Sequence, residues 1–160
     1  MSNHWIGWLG FVTICFGAGV IGSRFTASSV RTWYPTLLKP RGTPPSWVFA
    51  PVWSTLYLLM ATAAWLVWRQ RSATDVSLAL GLFFAQLALN AAWSFIFFGL
   101  RRPGPALIEI VLLVGVIVMT IVKFLSFSPV TSWLMVPYLA WVLYASFLNF
   151  GIWRLNKGDA

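Results

Sequence analysis

The chain predicts an all-α membrane protein, a single bundle of five transmembrane helices. Three observations carry this expectation: 59% of its residues are hydrophobic and only 9% charged, its mean hydropathy is +0.80, and its uncharged runs are interrupted only by short basic or proline-bearing segments. A soluble globule of 160 residues needs far more polar surface than this. The net charge of +8 would suggest a nucleic-acid partner in a soluble chain. Here the cations fall between apolar runs, so membrane topology accounts for them and no nucleic acid is expected.

A helix needs roughly 20 apolar residues to cross the hydrocarbon core, and runs of that order are expected at 5–23, 47–68, 76–100, 106–122 and 133–153. The first has no Lys or Arg before it, unlike a cleaved signal peptide, and is expected to be retained. Cys15 within it is expected to be a buried, inert thiol. Gly17, Gly19 and Gly22 make it locally thin, which suits close helix packing. The segment 24–46 is expected to be a loop: Pro35, Pro40, Pro44 and Pro45 remove backbone donors and fix its shape, making it a candidate lid. Asp75 is expected to start the third helix and Glu109 to lie in the first turn of the fourth. Ser126, Ser128 and Pro129 mark a break before the fifth. Trp5, Trp8, Trp65, Trp68, Trp133 and Trp153 sit at run ends, where an interfacial aromatic belt explains them.

Short cytoplasmic loops collect Lys and Arg. Arg24, Arg31, Lys39, Arg41, Arg101, Arg102, Arg154 and Lys157 fall on one side, and Arg69, Arg71 and Lys123 on the other. The expected protein is therefore a multi-pass one, with its N-terminus outside and its first loop and C-terminus cytoplasmic.

Helical periodicity separates two faces on the third span. Gly81, Ala85, Ala88 and Ala92 form a small-residue stripe of the kind that lets helices approach closely in lipid, read here as a dimer seam or as internal packing. Gln86, Asn90, Trp93 and Phe97 fall on the opposite side and are read as cavity lining. Trp53, Tyr57 and Met60 recur at helical spacing on the second span, and Tyr138, Trp141, Ala145, Leu148 and Asn149 on the fifth. Together with Trp33, Tyr34 and Trp47 of the loop and its cations Lys39 and Arg41, these stripes suit a flat, acidic, mostly apolar ligand.

Metal-ligand clusters, a nucleophile beside a base, paired carboxylates and a phosphate-binding glycine loop with its lysine are all missing from the sequence. His4 is the one histidine. Hydrolytic, nucleotide-driven and metal chemistry are thus disfavoured, and no cofactor is expected to be required.

The most specific motif is Trp33, Tyr34, Leu38, Lys39, Pro40, Pro44, Pro45, Trp53 and Tyr57; Asn90, Trp93, Phe97 and Phe98 follow in the third span, and Pro137, Tyr138, Trp141, Leu148, Asn149, Trp153 and Arg154 in the fifth. This pattern resembles the translocator protein family, also called the peripheral benzodiazepine receptor family, whose bacterial members are the tryptophan-rich sensory proteins. The resemblance covers nearly the whole chain and points to a bacterial-type member, expected in the cell membrane or the outer membrane.

The resemblance implies a dimeric five-helix bundle that binds porphyrin, haem precursors or sterols beneath the first loop. Pocket positions would fall on Trp33, Tyr34, Pro44, Trp53, Asn90, Trp93, Trp141, Ala145 and Leu148; the residue stripes and the loop add Lys39, Tyr57 and Tyr138. The leading expectation is a receptor or sensor of tetrapyrroles. The alternatives are a carrier of the same ligands and an enzyme that degrades porphyrin with light and oxygen, for which Trp53 and Trp141 would be the reactive positions. Two departures stand out. Gly42 replaces a loop tryptophan of the family pattern, and Phe150 replaces the tyrosine of a proposed sterol motif.

Overall fold

The computed structural model describes residues 4–157; the side chain of His4 lies outside what it describes. The helices are α1 (His4–Thr32), α2 (Phe49–Trp68), α3 (Ser77–Ser94), α4 (Pro103–Leu125), α5 (Pro129–Trp133) and α6 (Val136–Leu155). Among the described residues they form five stretches long and apolar enough to cross a membrane, α5 and α6 together making the fifth.

Three spans begin or end away from their expected limits, the fifth starting at Pro129 rather than at 133. α1 does not stop at Ser23 but carries Arg24 and Arg31 on nine further residues, to Thr32. Charge marks where hydrocarbon gives way to water, whereas a helix ends where its backbone must change; Pro35 disfavours helical geometry at the residue before it, Tyr34. A single 3-10 turn, Tyr34–Thr36, follows. α4 starts at Pro103, because proline fits the first helical turn, where its missing N–H has no partner to lose. Glu109 therefore lies beyond the first turn, and it is buried with neither carboxylate oxygen hydrogen-bonded. The break at 126–128 falls where expected: the Ser128 side chain accepts from Val130 N and Pro129 opens α5. Asp75 accepts from Ser77 N at 2.9 Å. That bond, with a second from the Ser77 side chain, holds its carboxyl below the usual range.

α3 packs along α4 and α1; α1 also packs along α2, and α4 along α6, whereas α2 and α6 touch little. The core contains Met60, Ala61 and Ala64 of α2, Phe83 of α3, Ile110, Leu113 and Ile117 of α4, and Tyr138 and Val142 of α6. Cys15 is fully buried, as expected. Gly19 and Gly22 abut Tyr57 and Ser94, while Gly17 faces open space.

The last turn of the third span is a π-helix, Phe95–Gly99. Its wider winding changes the register of the residues that follow. Ser29 on α1 donates to the carbonyl of Phe98 within it at 2.6 Å. Nearby, Asn149 on α6 accepts from Trp93 Nε1 at 3.0 Å and donates to the carbonyl of Pro103 at 2.7 Å, joining α3, α4 and α6.

The loop between α1 and α2 is fastened to α6 at three points. Asn156 accepts from Leu38 N at 3.0 Å and donates back to Leu38 O at 2.9 Å. The Pro40 ring lies against Gly151, where any Cβ would come within 2.8 Å of it. The Tyr144 hydroxyl donates to Gly42 O. These contacts place the first loop and the end of α6 at one end of the bundle, and the basic segment before α4 joins them through Pro103.

Two outcomes follow from these ties. Asn149→Leu leaves the half-buried Trp93 indole N–H without its partner and removes a second bond to the Pro103 carbonyl, so thermal unfolding in detergent should show a loss of about 2 kcal/mol; a loss below about 0.5 kcal/mol would mean that the indole finds another partner. Asn156→Ala should speed hydrogen exchange at the Leu38 amide while leaving the amides of α4 protected. Unchanged exchange at Leu38 would show that the other two contacts suffice to hold the loop.

Candidate functional site

Where α2 and α6 separate, a cavity of about 620 Å³ opens between α1, α2, α3 and α6. Its size falls within the range of small-molecule sites. Trp53 and Tyr57 of α2, Asn90 and Trp93 of α3, and Trp141 and Ala145 of α6 line it, with Tyr34 at the loop end. Seven residues singled out from the sequence thus converge on one space.

The indoles are held by neighbours rather than left loose. Trp53 stacks on Tyr57 with centroids 5.3 Å apart and meets Tyr138 edge-on at 6.2 Å. Trp93 stacks on Phe97 at 5.1 Å, with its N–H held by Asn149. Trp141 meets Phe49 edge-on at 6.0 Å. Asn90 is fixed from two sides: Tyr57 Oη donates to its Oδ1 at 3.5 Å, and its Nδ2 donates to Tyr138 Oη at 3.3 Å.

Five of the expected ligand residues do not line this cavity. Tyr138 is fully buried behind it and acts on it through Asn90 and Trp53. Leu148 is buried elsewhere, and Pro44 stays in the loop away from the lining. Trp33 faces a separate recess. Lys39 turns back on its own loop: its ammonium donates to Leu37 O at 3.2 Å and lies 4.8 Å above the Tyr34 ring. Arg41 is exposed and is not part of the lining either. The cation that does reach the rim is Arg31, which the extension of α1 carries there. Burial, and then the neighbouring Tyr144, hold the Tyr34 phenol above its usual range, so it remains a neutral hydroxyl.

In the π-turn that follows α3, Phe98 reaches the cavity in place of Phe97, a register change made by that turn. Gln86 is fully buried off the lining, and neither of its amide atoms has a hydrogen-bond partner. The wall missed by the sequence reading is α1, which contributes Phe16, Gly19, Ser23, Thr26, Ala27 and Val30. Their spacing is a readable signal, since 19, 23, 26 and 30 repeat at helical intervals. Small and polar residues in a first span nevertheless announce no ligand. The wall is open on this side, for Val20, also part of the lining, stays 57% exposed. Gly42 has φ +91°, a conformation that strains any side chain. Where the resemblance would place a tryptophan, the chain thus forms a turn whose carbonyl accepts from the Tyr144 hydroxyl.

Among the described residues no group of His, Cys, Asp and Glu could hold a metal ion. The site offers stacking faces, a fixed amide, hydroxyls that mostly bond within their own helices, and one guanidinium. Such a set can hold a ligand.

The small-residue stripe lies outside the bundle. Gly81, Ala85 and Ala88 are exposed, Ala92 is half-buried, and a Cβ on Gly81 would meet nothing within 4 Å. Internal packing, the alternative open from the sequence, does not account for it.

The profile of the TspO/MBR family matches residues 11–154. The chain is 40% identical to a protein named translocator protein from Homo sapiens over 160 residues, covering 99% of this chain and 95% of that protein. It is 44% identical over 138 residues to the tryptophan-rich protein TspO of Archaeoglobus fulgidus, covering 86% and 89%. It is also 34% identical over 156 residues to the tryptophan-rich sensory protein of Cereibacter sphaeroides, covering 98% and 95%. The chain is thus an integral, multi-pass membrane protein and belongs to the TspO/MBR family.

Proposed function

We propose that this protein is a membrane receptor that captures a carboxylated tetrapyrrole in the cavity among α1, α2, α3 and α6. The observation that supports this most is the convergence of Trp53, Trp93 and Trp141, from three helices, on one space with Arg31 at its rim. Broad indole faces suit a flat macrocycle, and the guanidinium suits its carboxylates. A sterol would use the apolar walls but leave Arg31 without a partner, so the charge favours the acidic ligand. By the distribution of Lys and Arg, the end that carries the first loop and the C-terminus faces the cytoplasm.

A titration of the detergent-solubilised protein with protoporphyrin, read by tryptophan quenching, tests the reading. Quenching should saturate. Trp53→Ala with Trp141→Ala should weaken binding about 30-fold or more, as expected for the loss of a packed aromatic anchor worth about 2 kcal/mol. Arg31→Gln should weaken protoporphyrin by about two- to fivefold, the scale of an exposed ion pair, and leave its dimethyl ester unaffected. Unchanged affinity in the double tryptophan variant would sink the binding model.

We further propose that the protein works as a homodimer joined through Gly81, Ala85, Ala88 and Ala92. The exposure of this stripe supports that reading, since small residues on a lipid-facing helix let a second backbone approach. Ala88→Leu should shift the solubilised protein toward monomer in light scattering. Retention of the same mass would assign the stripe to lipid contact.

A further inference from the structure

A second recess, of about 410 Å³, lies at the loop end of the bundle and is separate from the indole cavity. Trp33, Arg101, Arg102, Trp153, Asn156 and Lys157 are among its lining residues. Three cations from two segments far apart in sequence thus face one concave space.

Those charges form no ion pair among the described residues. The acids among the described residues are Asp75 and Glu109. Asp75 is engaged with Ser77 at the start of α3, and the Glu109 oxygens have no hydrogen-bond partner. No carboxylate therefore neutralises Arg101, Arg102 or Lys157 among the described residues. A loop cation needed only to set topology has no reason to sit in a concave site. Here the shape is fixed by Asn156, which binds Leu38 at both its N–H and its C=O, and by Lys157, whose ammonium lies 4.9 Å above the Trp153 ring.

The surroundings narrow the anion. Leu38, Leu100 and Leu155 are exposed apolar residues from the same segments as the lining, and Trp33 and Trp153 lie where the spans end. Indoles at that depth belong at the boundary between acyl chains and headgroups. A phosphate attached to acyl chains satisfies both halves of this site, whereas a free phosphate would leave the apolar flank unused.

We propose that this recess binds the phosphate headgroup of an anionic phospholipid from the adjoining leaflet, with Arg101, Arg102 and Lys157 as its charge partners. The dipole at the start of α4 adds to the attraction.

Native mass spectrometry of the full chain, loaded with phosphatidylglycerol or with phosphatidylcholine of the same acyl chains, tests this. The double variant Arg102→Gln, Lys157→Gln leaves the left-handed backbone at Arg101 intact. It should lose phosphatidylglycerol affinity by about thirtyfold, the factor two membrane-proximal cations supply together. Phosphatidylcholine retention should not change. Arg69→Gln with Arg71→Gln removes equal charge at the opposite end and should leave phosphatidylglycerol binding intact. Equal loss in that control, or equal retention of the two lipids by the unmodified protein, would overturn the site. Displacement of the lipid by inorganic phosphate at a similar concentration would overturn the lipid assignment in favour of a soluble anion.

Discussion

Hydrocarbon offers no hydrogen bonds, so a polar side chain in a span, or a carbonyl freed by an irregular turn, must find its partner within the protein. Where helices of this bundle start, stop or change winding, side chains of other helices bond to backbone carbonyls. Ser29 serves the carbonyl of Phe98 in the π-turn, and Asn149 that of Pro103 at the start of α4. At the end of α4, Thr131 reaches the carbonyl of Phe124 at 2.7 Å, and Ser132 that of Ile121 at 2.8 Å. Each donor comes from a different helix than the carbonyl it reaches, so each bond is also a tertiary contact, and at Phe124 it adds to the bonds from Phe127 N and Ser128 N.

Two of these bonds, from Ser29 and Asn149, bear on the cavity. Asn149 does two jobs with one amide, meeting a carbonyl on α4 and fixing the plane of Trp93 on α3. The π-turn that Ser29 supports brings Phe98 to the wall and sends Phe97 into the packing behind Trp93. On the opposite wall, Tyr138 stays fully buried while it positions Asn90 and meets Trp53 edge-on. The ring faces are thus preorganised by groups that do not themselves reach the open space, and little ordering would remain for a ligand to impose.

Much of this was legible in the sequence, and the failures have definite causes. The five spans followed from run length, and Trp53, Tyr57, Asn90, Trp93, Trp141 and Ala145 from helical spacing, because a stripe at the right period points one way whatever the neighbouring helix. α4 starts before the expected 106 because proline, which interrupts an apolar run, is also a favoured first residue of a helix. Phe97 was misplaced because the period changes inside the π-turn. Lys39 was misdirected because the aim of a loop side chain depends on turn geometry that periodicity does not encode. The α1 wall was missed because small residues give no signal of what they face until a neighbour is placed beside them.

That α1 wall changes how ligand affinity should be understood. With Val20 largely exposed beside the cavity, a ligand of the proposed kind would enter from the acyl phase rather than the aqueous one. An apolar pigment partitions into that phase, so its concentration beside the opening exceeds its concentration in solution. If the proposed capture holds, the protein would respond to traces of pigment in water with only modest intrinsic affinity. Its apparent sensitivity would then depend on the thickness and composition of the surrounding bilayer as much as on its own side chains.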